Sequence, residues 1–297
     1  MVFKPGRMMW VLLGGSGYVG RALQAALRRQ GIDYHSAARG EIDYTDPLKL
    51  HEYLRSSRPE CLINAAGYTG RPNVDACELH KAECLAGNSV LPGTIRTVCE
   101  DLKIPWGQIS SGCIFTGCPD GRSGFTEQDP PNFSFRHDNC SFYSGCKALG
   151  EEVLSGAESC WVWRLRIPFN HLHSPRNYIS KMMAYERLLD ATNSLSHLDE
   201  FADACVTCVQ QRCDFGIWNL TNPGAVSTRQ VVEMIQRAGL TDREFQFFES
   251  ESQFMELAAQ TPRSNCVLDS SKAIQAGLPL SPVEEALDVA MKNWTVG

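Results

Sequence analysis

Met8-Met9-Trp10-Val11-Leu12-Leu13-Gly14 runs straight into Gly15-Ser16-Gly17-Tyr18-Val19-Gly20, and a helical pattern follows over Val19–Arg29. The apolar run predicts a short buried strand. Strand, glycine turn and helix in that order form the context of a dinucleotide fingerprint. Two registers overlap, Gly14/Gly17/Gly20 and Gly15/Gly17/Gly20. In either one, missing side chains let the backbone approach a pyrophosphate, and the helix N-terminus faces it. Gly14, Gly17, Tyr18, Val19 and Gly20 are therefore the first candidate cofactor contacts. The fold this implies is α/β, a doubly wound parallel sheet.

Outward from that stretch, Ile32–Ala37 is the expected second strand. A site preferring NAD usually has an acid at this strand's end, whereas here the chain reads Ser36-Ala37-Ala38-Arg39-Gly40. Arg39 either pairs with a 2′-phosphate, favouring NADPH, or is a solvated loop charge. Thr45 or Asp46 is placed to cap a helix running to Arg55, and Asp43 to approach the adenine side of a cofactor. The third strand, Glu60-Cys61-Leu62-Ile63-Asn64-Ala65-Ala66-Gly67, ends in small residues that let a cofactor lie on the backbone. Asn64, Ala65, Ala66 and Gly67 join the cofactor candidates. The loop Tyr68–Asp75 follows, where open α/β sheets build their ligand crevice. Ala76–Leu102 is helical, in two pieces broken near Pro92-Gly93, with Asn88 inside it.

The chain has 297 residues, enough for one large or two intimate domains. Lys plus Arg number 28 against 34 Asp plus Glu, a net charge of −6, which leaves no global basic field for nucleic acid or an anionic membrane. No apolar run is long enough to span a bilayer, and Met1–Met9 lacks an export-signal pattern. Thirteen cysteines, an odd number, then read as reduced thiols of a cytoplasmic protein.

The fourth strand candidate, Ile104–Phe115, carries Ile109-Ser110-Ser111-Gly112-Cys113-Ile114-Phe115. On a strand, Ser111 and Cys113 share a face. After a long loop, Gly117–Asn139, Ser141 can cap a helix bearing Tyr143 and Lys147, which i,i+4 spacing puts on one side. A phenol is a poor acid–base group at neutrality, and an ammonium beside it favours the phenolate. Lys147 can also hold a nicotinamide ribose, and Ser111 can orient a ketone oxygen. A solvated helix face and a small strand residue are the plain alternatives. Cys113 is not needed for hydride transfer. It is either an inert packed thiol or a second acid–base group that could invert carbons beside a ketone, with Lys181 or a histidine of the 171–173 loop returning the proton.

Cys160–Ile167 is the next strand. Beyond Pro168 the strand–helix alternation becomes less regular. We expect an NADPH-binding part over residues 1–168, with 215–222 returning to it through Ile217-Trp218-Asn219-Leu220-Thr221, and a smaller C-terminal part, 169–297, mainly for substrate. Helices are expected over Tyr178–Leu189, Leu198–Gln211, Ser227–Ala238 and Ser281–Asn293. Cys205, Cys208 and Cys213 lie in a helical pattern without a second Cys/His pair at zinc-site spacing, so packing thiols are expected and no metal.

Gly14–Gly20, Asn64-Ala65-Ala66-Gly67, Ser111 and Tyr143/Lys147 together resemble the extended short-chain dehydrogenase/reductases, a Rossmann-fold group. Leu62–Gly67 and Ser110–Gly117 resemble the dTDP-4-dehydrorhamnose reductases. Asn64–Asp75, Gly112–Phe115, Phe142-Tyr143, Pro175-Arg176-Asn177, Ile217–Asn219, Thr221–Gly224 and Pro262–Asn265 are similar to the plant-type nucleotide-rhamnose synthase/epimerase-reductases. That resemblance implies epimerisation at C3 and C5 of a UDP- or dTDP-4-keto-6-deoxy-glucose, then reduction at C4 with NADPH. It implies Ser111, Tyr143 and Lys147 as the reductase set, with Ser111 standing where the plant type has threonine, and Cys113 and Lys181 as the epimerase pair. Arg71, Asn73, Arg176, Asn177 and Arg263 are the substrate candidates, since guanidinium forks suit phosphates. A homodimer is also implied. The rival readings are a plain 4-keto reductase and a non-catalytic NADP-binding regulatory subunit.

Overall fold

The computed structural model describes residues 9–71 and 73–296. Residues before Met9, including the export-signal reading and the strand's expected start at Met8, lie outside the described residues, as do Pro72 of the crevice loop and Gly297. Six strands form one parallel sheet: β1 (Trp10–Leu13), β2 (Tyr34–Ala37), β3 (Cys61–Asn64), β4 (Trp106–Ser111), β5 (Cys160–Leu165) and the edge strand Gly216–Asn219, in the order β2-β1-β3-β4-β5-edge. Helices α1 (Tyr18–Arg29), α2 (Pro47–Ser57), α3 (Ala76–Leu79), α4 (Lys81–Leu85), α5 (Leu91–Leu102) and α6 (Phe142–Val153) connect the first five strands.

Every residue of β1, β3 and β5 is buried, because helices cover both faces. Alternation sorts their side chains between two cores. Trp10 and Leu12 pack with α1 and with the helix Leu198–Gln210, while Val11 and Leu13 pack with α2 and α5. β1 is flanked by β2 and β3, so the winding reverses there and the carboxyl ends of β1 and β3 open onto a crevice. The two turns at that point touch: Gly14 has φ +73°, and a Cβ on it would lie 2.4 Å from the Ala66 nitrogen.

α6 is fastened to the sheet by a buried ion pair, Arg164 Nη2 to Glu151 Oε2 at 2.7 Å, with the Ser110 hydroxyl also donating to Glu151. A separate apolar core joins Phe169, Ile179, Leu195, Val231 and Leu287 in the C-terminal half. The segment around Cys266–Leu268 pairs with the long loop at Gly117 and Phe125, which orders that loop without a regular element of its own. No helix among the described residues is long and apolar enough to cross a membrane.

Three of the departures from the sequence reading each have a local reason. The stretch 76–102 does not break at Pro92-Gly93. It widens into a π-helical turn over Ala86–Val90, and Pro92 then sits in the first turn of α5, where no N–H is required. β4 ends at Ser111 rather than Phe115, because the Ser111 hydroxyl accepts from the Cys113 N–H at 3.2 Å and starts a 3₁₀ turn, Gly112–Ile114. Ser111 and Cys113 are thus joined by a capped turn and not by strand alternation. The helix expected over Tyr178–Leu189 stops at Ala184, since Arg187-Leu188 pairs with Gln246-Phe247.

Candidate active site

The crevice begins at the N-terminus of α1. Gly17 is the N-cap and offers no side chain, and no carboxylate stands in the first turn. The first N–H groups of α1, including those of Tyr18 and Val19, are left for an external anion. A Cβ on Gly20 would lie 2.2 Å from the Gly14 carbonyl, which keeps the turn tight. Arg39 stands just past β2, its Nε donating to the Tyr44 hydroxyl at 3.1 Å with the guanidinium 5.6 Å from the Tyr44 ring centre. The acid nearby, Glu41, faces His35 instead, so no carboxylate occupies the end of β2. These features fit a dinucleotide carrying a 2′-phosphate. Asn64 is fully buried: its amide holds Gln108 and its Oδ1 accepts from Ala66 N, so it shapes the turn and leaves Ala65, Ala66 and Gly67 to line the crevice.

α6 brings in Tyr143 and Lys147. Ser141 caps it by accepting from Ser144 N. One turn apart, Lys147 Nζ lies 6.0 Å from the Tyr143 ring centre and donates to the Ile109 carbonyl at 3.4 Å, near Gly67. Burial holds the Lys147 amine below the usual lysine range, and Cys113 and Glu151 oppose that shift. Burial raises the Tyr143 phenol well above its ordinary value, Cys113 adds to this, and Arg176 works against it. Tyr143 is therefore within electrostatic reach of both Cys113 and Arg176.

Cys113 is half-buried at the margin of an apolar cluster that includes Phe115, Phe125 and Leu268. Burial raises its thiol, while the Ser111 and Ser144 hydroxyls and the charges of Lys147 and Arg166 favour the thiolate. The residue packs against that cluster, and the Ser111 and Ser144 hydroxyls are its polar neighbours.

A cleft of about 760 Å³ opens beside these groups, lined by Thr69, Asn73, Arg176, Lys181 and Arg263 among others, with Phe248 and Phe254 on its far wall. Ser111, Cys113 and Tyr143 are not among its lining residues. Of the cleft's residues, Arg176 is the one whose charge acts on Tyr143. Lys181, on the helix Tyr178–Ala184, is held below the ordinary lysine range by burial and then by the Arg176 and Arg263 charges. Arg176 donates to Thr69 Oγ1 and Gly70 O, and Arg263 to Asp75 at 2.7 Å. Asn73 Oδ1 accepts from Asp75 N. Asn177 is fully buried as the cap of the Lys181 helix, with its amide spent on Asn170 and Leu172 carbonyls, and Arg71 is exposed outside the lining. The histidine alternatives to Lys181 face elsewhere: His171 lies beside Asp199, and His173 contacts Ser180 and Trp294. Cys205 and Cys208 are packed in the sheet's core.

Two arrangements go beyond the sequence reading, which placed Asn88 in a helix without giving it a role. Asn88 is buried in the π-helical turn and clamps the crevice loop, donating to Tyr68 O at 2.7 Å and accepting from Tyr68 N at 3.3 Å. Cys77, Cys84 and Cys146 cluster against Tyr143, with Cys84 accepting from the other two thiols and from Asn88, which favours its thiolate. A wide helical turn that brings one Asn inward leaves no mark in a periodicity of 3.6.

Residues 8–296 match the RmlD substrate binding domain family, and the chain belongs to it. Among individual proteins it is 34% identical over 283 residues to a bifunctional dTDP-4-dehydrorhamnose 3,5-epimerase/dTDP-4-dehydrorhamnose reductase of Arabidopsis thaliana, covering 94% of this chain and 90% of that one. A trifunctional UDP-glucose 4,6-dehydratase/UDP-4-keto-6-deoxy-D-glucose 3,5-epimerase/UDP-4-keto-L-rhamnose-reductase of the same plant is 35% identical over 89% of this chain, which spans only 39% of that protein's length. The fold matches the crystal structure of the L780 UDP-rhamnose synthase from Acanthamoeba polyphaga mimivirus, with TM-score 0.87, 23% identity and coverage of 97% of this chain and 100% of that one.

Proposed function

We propose that the chain is a 3,5-epimerase/4-keto-reductase converting a UDP- or dTDP-4-keto-6-deoxy-D-glucose to the β-L-rhamnose nucleotide with NADPH. The observation that carries this reading is that Lys147 stands one turn from Tyr143 on the same helix, with the Cys113 and Arg176 charges both acting on the phenol. The names of the plant relatives and of the viral structure support it.

In this reading, Gly14, Gly17, Gly20 and the α1 N-terminus take the cofactor's pyrophosphate and Arg39 its 2′-phosphate. Lys147 holds the nicotinamide ribose. Arg176, Arg263 and Asn73 receive the substrate's diphosphate end in the cleft. The C4 ketone oxygen accepts from Ser111 and Tyr143. Carbons C3 and C5 flank that ketone, so their protons are acidic. The Cys113 thiolate removes each proton, the oxygen's two donors stabilise the enolate, and the Lys181 ammonium delivers a proton to the opposite face. Proton exchange with solvent resets the thiol and amine. NADPH, when bound, supplies the hydride that reduces C4, and Tyr143 gives its phenolic proton to the new alkoxide. The same reading assigns residues 1–168 with 215–222 mainly to cofactor and 169–297 mainly to substrate. It also carries a homodimer and a reducing, cytoplasmic setting, which thirteen unpaired cysteines suit.

The test is incubation with each un-epimerised 4-keto nucleotide and NADPH in D2O, with NMR of the product. A rhamnose nucleotide labelled at C3 and C5 is expected. A 6-deoxy sugar reduced at C4 without label at C3 and C5 reduces the assignment to a plain reductase, and no turnover of either nucleotide rejects it.

A further inference from the structure

Two buried arginines stand two residues apart at the end of β5, and only one of them has an acid. Arg164 is paired with Glu151 at 2.7 Å. Arg166 is 4% exposed and forms no ion pair among the described residues. Its Nη2 donates to neutral oxygens, Asn193 Oδ1 and the Ser264 carbonyl, and its Nε has no partner. A guanidinium withdrawn from water without a counter-charge is strongly disfavoured, and its neighbourhood is where a negative charge is best placed.

That neighbourhood is the Cys113 turn. A Cβ on Gly112 would lie 3.3 Å from Arg166 Cδ, so the arginine stem runs against the residue that precedes the cysteine. The next residue, Ile167, has φ +39°, a conformation a β-branched side chain adopts only under strain. The segment that aims Arg166 is thus held away from its relaxed backbone. The groups facing the sulfur are Ser111, Ser144, Lys147, Tyr143 and Cys140, besides Arg166. Tyr178 and Cys266 also feel Arg166, but Cys266 donates its S–H to the Gly112 carbonyl and so remains a thiol, and burial keeps Tyr178 a phenol.

We propose that Arg166 is a positioning residue whose buried, otherwise uncompensated guanidinium serves as the counter-ion of the Cys113 thiolate. It deepens the epimerase reading and rests on it for its catalytic consequence. The ionisation of the sulfur, however, is measurable without any substrate. Lys147 also faces the sulfur, so Arg166 is the second cation there, and the one without an acid of its own.

The experiment is the pH dependence of Cys113 alkylation by iodoacetamide in the full chain, read by mass spectrometry of the Cys113 peptide. Wild type is compared with Arg166→Lys, Arg166→Gln and Asn193→Asp, and folding is checked by circular dichroism. Arg166→Gln is expected to raise the alkylation midpoint by about one pH unit, which slows alkylation on the acid limb about tenfold. Asn193→Asp sets a carboxylate against the intact guanidinium and is expected to shift the midpoint the same way. Arg166→Lys is expected to restore most of the wild-type profile. If Arg166→Gln does not fold, Asn193→Asp still decides. A folded Asn193→Asp or Arg166→Gln with an unshifted midpoint overturns the proposal. If the midpoints shift as expected but Cys113→Ala still exchanges protons at C3 and C5, the epimerase reading falls while the electrostatic role of Arg166 stands.

Discussion

Arg176 donates to the Thr69 hydroxyl at 2.8 Å, tying the loop after β3 to the loop that leads into the Lys181 helix. A second bond to the Gly70 carbonyl at 2.9 Å makes the link two-pronged. The two loops come from opposite halves of the chain, and their junction is one wall of the cleft. Arg176→Ala should therefore loosen the cleft and remove a phosphate partner together. The KM for the nucleotide sugar should rise roughly 10- to 100-fold, as expected for a lost charge-assisted contact. Steady-state kinetics check this, with NADPH affinity changing little.

In the proposed mechanism Lys181 should set the alkaline limit of inversion. Burial and the charges of Arg176 and Arg263 hold its pKa below that of an ordinary lysine, so its ammonium is lost as pH rises through a lowered value. The kcat for C3 and C5 exchange should fall on the alkaline side below ~10.4. Removing one cation in Arg263→Gln should move that limb upward by about half a unit. The acid limb, governed by the raised Cys113 thiol, should stay in place. A pH profile of deuterium wash-in at saturating substrate reads both limbs.

In the proposed site Arg39 should decide between phosphorylated and unphosphorylated cofactor. With no acid at the end of β2 and the Arg39 guanidinium beside Tyr44, Arg39→Ala should weaken NADPH binding about 10- to 100-fold and leave NADH binding nearly unchanged. Fluorescence titration with the two cofactors measures the ratio.

The Arg164–Glu151 pair is the joint between α6 and the sheet. Glu151→Ala leaves a guanidinium that is 1% exposed without its acid, and should cost about 3–5 kcal/mol of stability. Urea unfolding followed by circular dichroism checks this. Because α6 also carries Tyr143 and Lys147, reductase activity should fall along with stability.

The parts of this fold written in local chemistry were legible in the sequence. The glycine turn at 14–20, the small residues at 65–67 and the Ser141 cap each announce a backbone requirement that few other residues meet. The return of Gly216–Asn219 to the sheet was also visible, because that run is apolar and short. What stayed hidden depends on contacts between distant segments. Asn88 faces inward only because a π-helical turn rotates it, and nothing in the spacing of apolar residues signals that rotation. Asn177 reads as a ligand contact from its place next to Arg176, yet its amide is consumed by its own loop. Ser111 and Cys113 do come together, but through a capped turn that a pattern of alternation would not suggest.

Deuterium incorporation by Cys113→Ala tests the account most directly. The variant should bind NADPH and reduce an already epimerised 4-keto nucleotide at close to the wild-type rate. Exchange at C3 and C5 of the un-epimerised substrate in D2O should drop by at least ~100-fold, the usual contribution of a positioned base. Wild-type exchange in the absence of the sulfur would contradict a shared site for inversion and reduction.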